Sequence, residues 1–137
     1  MRQKSCQARL EAELQDRLRD MRTLWRLYQR NPEASHRELG RFEEYGLSCD
    51  YVARGTFQDQ KRGYFRWQLS WGGPADEFRF YMDENLDAVE IEYWFLDWCD
   101  GASRSLSGKD YALLDEIFQN FKDLVLVKTE RAKSFGN

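Results

Sequence analysis

Between Tyr64 and Trp98 the chain alternates apolar and polar residues at a period of two in three successive runs, separated by short polar or glycine-bearing turns. A helix cannot carry that period. It prescribes strands whose successive side chains point to opposite faces of a sheet. In the first run Phe65, Trp67, Leu69 and Trp71 share one face, expected to be buried, and Tyr64, Arg66, Gln68 and Ser70 share the other. In the second, Glu77 to Met82, Phe78, Phe80 and Met82 alternate with Glu77, Arg79 and Tyr81. The third, Ala88 to Trp98, sets Val89, Ile91, Tyr93 and Phe95 against Glu90, Glu92, Trp94 and Leu96. Gly72, Gly73 and Pro74 end the first run, because glycine permits positive φ and proline lacks the donor that a ladder needs. Asp83 to Asp87 joins the last two as a hairpin. An earlier strand is expected over Leu47 to Phe57, at an edge, since Arg54 and Gly55 interrupt it.

The flanking segments follow the helical period instead. Leu10, Leu14, Leu18, Met21, Trp25 and Tyr28 recur every three or four residues, which predicts an amphipathic helix from Ser5 to Arg30 that stops before Pro32. A second helix is expected from Asn31 or Ser35, where Ser35 and Glu38 have capping-box spacing, with Leu39 and Phe42 inward and Gly46 as terminator. His36 then lies in its first turn as an exposed or capping residue. A third helix starts at Ser107, with Leu106 and Tyr111 as a hydrophobic staple and Asp110 in the first turn. Leu114, Ile117, Phe118, Phe121 and Val125 form its stripe, which packs on the sheet's inner face. Periodicity fades beyond Lys128, so 128–137 is expected to fray. These elements together predict one α+β domain over 1–137: two N-terminal helices, a four-stranded antiparallel sheet and one C-terminal helix packed on it.

A chain of 137 residues, 42% hydrophobic and 15% aromatic, can bury one core and is too short for two ordinary ones. No apolar run approaches the ~18 residues that cross a bilayer, and Met1 to Leu10 carries no signal-like apolar segment, so a cytoplasmic protein with no membrane contact is expected. Cys6, Cys49 and Cys99 are widely spaced, without a Cys-x-x-Cys pair, and His36 is the single histidine. Reduced thiols are expected, with Cys49 and Cys99 near the core, and no zinc site.

Charge is where the sequence departs from the ordinary. A net charge of −3 averages two opposite regions. Residues 1–30 hold eight bases against four acids, whereas 76–100 hold nine acids against Arg79 alone. On the first helix Arg19, Arg22, Arg26 and Arg30 gather opposite the apolar stripe, as a solvated ridge or as a contact for phosphates or carboxylates. In the middle region Asp76, Glu77, Asp83, Glu84, Asp87, Glu90 and Glu92 are expected to face outward from a stiff sheet, with Glu77, Glu90 and Glu92 in a patch near Tyr81.

Three kinds of function fit that pattern. Paired carboxylates can serve as acid and base or hold magnesium or calcium, with Glu90, Glu92, Asp97 and Asp100 as the residues to test. The turn Asp83 to Asp87 lacks the glycine and spaced ligands of a calcium loop, and no phosphate-binding lysine follows Gly72-Gly73. No catalytic residue, metal ligand or cofactor is therefore assigned. The arginine ridge could hold nucleic acid, against an acidic sheet face that repels phosphate. The reading adopted is a non-enzymatic binder whose carboxylate array meets a partner protein's basic, nucleic-acid-binding surface, with the ridge as a second contact. Pairing of the two charged surfaces in a homodimer is the alternative use of the same groups.

The segments Trp71-Gly72-Gly73-Pro74-Ala75-Asp76-Glu77-Phe78 and Glu92-Tyr93-Trp94-Phe95-Leu96-Asp97-Trp98 resemble small proteins carried by phages and plasmids, among which anti-CRISPR and antirestriction inhibitors occur. The resemblance implies a cytoplasmic inhibitor of a host nucleic-acid-handling defence complex, some of which act by acidic mimicry of nucleic acid. The basic first helix departs from a uniformly acidic mimic.

Overall fold

The computed structural model describes residues 6–57, 60–72, 74–97, 101–124 and 126–135. Its frame is a five-stranded antiparallel sheet in simple sequence order, β3 (Ser48–Val52), β4 (Tyr64–Ser70), β5 (Ala75–Met82), β6 (Ala88–Leu96) and β7 (Ala102–Ser105). The period-two runs produce it. Phe65, Trp67, Leu69, Phe78, Phe80, Ile91, Tyr93 and Phe95 all lie on one face and are at most 5% exposed. That face is covered by α1 (Cys6–Arg30) and α2 (Gly108–Asp123), whose Leu10, Leu14, Leu18, Met21, Leu114, Ile117 and Phe118 join the same cluster. Ring contacts lace the layers together: Phe118 stacks on Phe80 at 4.8 Å between centroids, and Phe121 meets Trp67 edge-on at 5.2 Å.

The α+β class and the antiparallel sheet follow the sequence, while several details are corrected. No second helix forms between α1 and the sheet. Residues 31–46 instead make a small hairpin, β1 (Ser35–His36) with β2 (Gly40–Arg41), and a 3-10 turn at Phe42–Glu44. Beside Phe42 the segment offers only the half-buried Leu39 and Tyr45, too little apolar surface to hold a helix against the core. Local side-chain bonds win there: Asn31 accepts the Glu33 N–H, and His36 Nδ1 accepts those of Glu38 and Leu39. Phe42 still reaches the core, packed on Trp25 and Tyr28. Gly46, at φ 84°, ends no helix; a Cβ there would stand 2.8 Å from the Trp67 indole nitrogen, so the chain passes the sheet too closely for a side chain.

The sheet has five strands among the described residues rather than four. Ala102–Ser105, where no strand is expected from the sequence, is extended because it pairs with β6 through Glu92↔Ser105 to Phe95↔Ala102. The expected frayed tail is a helix, α3 (Leu126–Phe135), anchored by fully buried Val127 against the inner face beside β3. One anchoring residue is too few to show as a period. Trp71 and Val89, expected inside, are 75% and 56% exposed. Register breaks explain both: Leu69 is the extra residue between Gln68 and Ser70, so Ser70 meets inner-face Asp76 and Trp71 turns outward, and Val89 is itself the unpaired extra residue between Ala88 and Glu90.

Cys6 is disulfide-bonded, which corrects the expectation of a reduced thiol there; spacing along a chain does not reveal proximity in space. Cys49 is free, and burial pushes its thiol up to about 12. The expectations for Trp98, Cys99, Asp100 and Val125 fall outside the described residues. Among the described residues, no helix is long and apolar enough to cross a membrane.

Candidate functional site: the outer face of the sheet

The helices cover one face of the sheet. On the other, antiparallel pairing sets the side chains of β3 to β6 in rows. One row reads Asp50, Arg66, Arg79, Glu92, each opposite the next on the neighbouring strand. The row beside it reads Val52, Tyr64, Tyr81, Glu90, and the row on the other side Ser48, Gln68, Glu77, Trp94. The tight pair Val52 and Tyr64 forms, with Tyr81, a small apolar cluster separate from the main core.

Arginines and rings are layered across this face. The Arg79 guanidinium lies 3.9 Å from the Trp94 ring centre and 4.6 Å from that of Tyr64, and its Nε donates to Glu77 Oε2 at 2.7 Å. Arg62, from the β3–β4 loop, lies 4.0 Å over Tyr81 and donates to Glu90 Oε1 at 2.6 Å. Arg66 grips Asp50 with two bonds, Nε to Oδ1 at 2.9 Å and Nη2 to Oδ2 at 2.6 Å. Glu92 Oε1 accepts from both Tyr81 at 2.7 Å and the Trp94 indole at 2.9 Å. Burial, and then the Glu92 bond, raise the Tyr81 pKa, and burial raises that of Tyr64, so both phenols stay protonated donors at neutral pH. Rings and fixed carboxylates thus hold these cations in place.

Between the layers and the β3–β4 loop lies a cleft of about 670 Å³, with Phe57 and Trp71 as its most exposed rings at 51% and 75%. Lys61, Arg62, Arg66 and Arg79 line it, with Glu77 as the acid among them. That volume falls within the ordinary range of ligand and partner pockets, roughly 300–1,000 Å³.

The sequence-predicted residues meet different fates. Asp76 and Glu77 are 2% exposed, so neither presents charge outward. Asp76 lies on the inner face, where Arg17 of α1 donates to it twice, Ser70 donates at 2.5 Å and Tyr93 at 2.6 Å. Glu77 is on the outer face but under Arg79. Glu90 and Glu92 do stand near Tyr81, as expected, each bonded within the chain. Asp87 takes Lys122 of α2 at 2.5 Å, which lowers its pKa, and Asp83 accepts the backbone N–H groups of Asn85 and Asp87 inside the β5–β6 turn. Glu84 is exposed beside them. Asp97 pairs with Arg9 of α1. The outward carboxylate array is therefore corrected: the basic first helix and the acidic sheet, opposite in sequence, neutralise each other in part within one molecule.

On α1, Arg19 pairs with Asp16 at 3.1 Å and Arg22 reaches Asp110 of α2 at 3.8 Å, while Arg26 and Arg30 are exposed. The ridge lies on the helix side opposite the sheet's outer face and does not join the cleft. Missed in the sequence were Tyr64, Arg66, Arg79, Tyr81, Trp94 and Trp71 as a site. The signal was present: large rings and arginines also occupy the strand positions that alternate away from the core. Among the described residues, no group of acids, histidines and cysteines is arranged to hold a metal ion. No family model matches the chain, and no curated protein or solved structure matches it either.

Proposed function

We propose that this protein is a non-enzymatic binder that works by occupying the surface of a partner protein, and that its contact is the outer face of the sheet. The observation that carries this reading is the layered face itself: Trp, Tyr and Arg side chains, the residue types that dominate binding energy at interfaces, lie together on a rigid sheet with Trp71 and Phe57 exposed above them. Pre-ordered side chains lose little entropy when a partner docks, which favours tight association over a small area. The partner class is the one the resemblance of 71–78 and 92–98 implies, a host nucleic-acid-handling defence complex. The binding chemistry differs from acidic mimicry, because the carboxylates of this face are engaged within the chain, Asp50, Glu77 and Glu90 by arginines and Glu92 by Tyr81 and Trp94.

The test is affinity capture from a bacterial lysate with the natural chain and with Trp71→Ala/Phe57→Ala. Both side chains are exposed, so the variant folds, and it should lose proteins that the natural chain retains. Recovery of the same proteins by both chains would sink the reading.

A further inference from the structure

We propose that the outer-face cleft is a seat for one carboxylate, supplied by an aspartate or glutamate of the partner that stands beside an apolar residue. The inference rests on the outer face being the protein contact and names what it recognises.

Arg66 and Arg79 are directly opposite each other on β4 and β5. Like charges in that position repel, and the chain holds them there with Asp50 and Glu77 rather than replacing one of them. Each guanidinium carries five N–H donors and uses only one or two of them on its own carboxylate, so facing positions leave donors over that suit a further carboxylate. Two further donors flank Arg66 along β4. The Tyr64 hydroxyl, on a residue 1% exposed that lines the cleft, has no hydrogen-bond partner among the described residues, and neither has Gln68 Nε2. Buried polar atoms are ordinarily paired, and an orphan calls for a reason. Only one other buried side-chain atom among the described residues is orphaned, Arg41 Nε on β2, so the orphans concentrate on this face. What the cleft lacks is an acceptor.

Charge decides which acceptor. Lys61, Arg62, Arg66 and Arg79 are matched in number by Asp50, Glu77, Glu90 and Glu92 around them. The site therefore draws an anion at contact distance but projects no net positive field for a phosphate backbone. A single carboxylate suits it, with its apolar neighbour against Trp71 and Phe57 at the mouth.

The test follows the indole N–H signals of Trp71 and Trp94 by NMR while acetyl-Phe-Glu-Phe-amide, acetyl-Phe-Gln-Phe-amide or adenosine monophosphate is added. The glutamate peptide should shift both signals saturably and bind about tenfold more tightly than the glutamine peptide, as for a hydrogen bond to a charged group. Tyr64→Phe should weaken the glutamate peptide by about tenfold with an unchanged or higher Tm, because it deletes a hydroxyl that has no partner in the free protein. Equal binding of the two peptides, or full binding by Tyr64→Phe, overturns the proposal. Tighter binding of the nucleotide than of the glutamate peptide also overturns it, and removes the protein-contact reading of the cleft with it. If no peptide moves either indole the carboxylate seat is overturned, and the Trp71→Ala/Phe57→Ala capture then judges the docking face separately.

Discussion

Arg17 of α1 and Asp76 of β5 are joined by two hydrogen bonds, Nε to Oδ2 at 2.7 Å and Nη2 to Oδ1 at 2.9 Å, at a point where only 2% of Asp76 reaches solvent. The pair crosses 59 residues of sequence and fixes the long helix over the β4–β5 connection. Arg17 also donates to the Tyr45 hydroxyl at 2.9 Å, which in turn donates to Asp20 at 2.8 Å, so the same guanidinium draws the segment before β3 onto the helix. A charge this deeply buried is tolerated because four donors surround it.

Removing one partner should therefore cost more than a surface ion pair. Arg17→Met leaves the Asp76 carboxylate buried without its cation and should destabilise the fold by about 3 kcal/mol or more, whereas exposed pairs such as Arg19–Asp16 are worth about 0–1 kcal/mol. Urea unfolding of Arg17→Met and Arg19→Ala makes the comparison. Equal losses would show that the buried tie contributes nothing special.

The tyrosines predict how stability depends on alkaline pH. Burial pushes Tyr45 up to about 12; Tyr93 is raised by burial and by the Asp76 charge, and Tyr64 and Tyr81 are raised as well. In the unfolded chain these phenols ionise near 10. Above that pH the unfolded state loses protons that the folded state keeps, so stability falls as pH rises from about 10. Below pH 10 both states hold those protons and the effect vanishes. Phenolate absorbance should rise later in the folded protein than in urea, with a parallel fall in unfolding free energy; coincident titration curves would contradict it.

The arginine ridge yields a separate prediction. Arg26 and Arg30 are exposed, yet the sheet and ridge belong to a chain of net charge −3. Short DNA or RNA should bind only weakly, and any shift seen at low salt should vanish by about 150 mM salt, because few phosphates are neutralised. Gel-shift titration across salt checks this. Binding that persists at that salt and is lost in Arg26→Ala/Arg30→Ala would make nucleic acid the primary ligand.

The inner face of the sheet was legible because every apolar position from Phe65 to Phe95 that stayed in register is buried. Legibility failed where one residue changed the count, at the bulges that turn Trp71 and Val89 outward, and where few contacts decide the structure, as with Val127 in α3. At Ser35 to Gly46 a capping-box spacing lost to turn chemistry, since the hairpin needs little core and a helix needs more. The acidic region misled for another reason. Charge counted along the sequence says nothing about partners, and Arg17, Arg9 and Lys122 reach Asp76, Asp97 and Asp87 from distant elements. The candidate cleft was written in the residues opposite the core-facing ones, Tyr64, Arg66, Arg79, Tyr81 and Trp94; what the sequence could not supply was the stacking that joins them.

The outer face as the docking surface is tested most directly by calorimetry on the isolated complex with a captured partner, comparing Trp71→Ala/Phe57→Ala with Arg26→Ala/Arg30→Ala. Loss of two exposed aromatic anchors should raise Kd at least about tenfold, while the ridge variant stays within about twofold of the natural chain. The reverse order, with the ridge variant weakened and the aromatic variant unchanged, would place the contact on α1 and contradict the account.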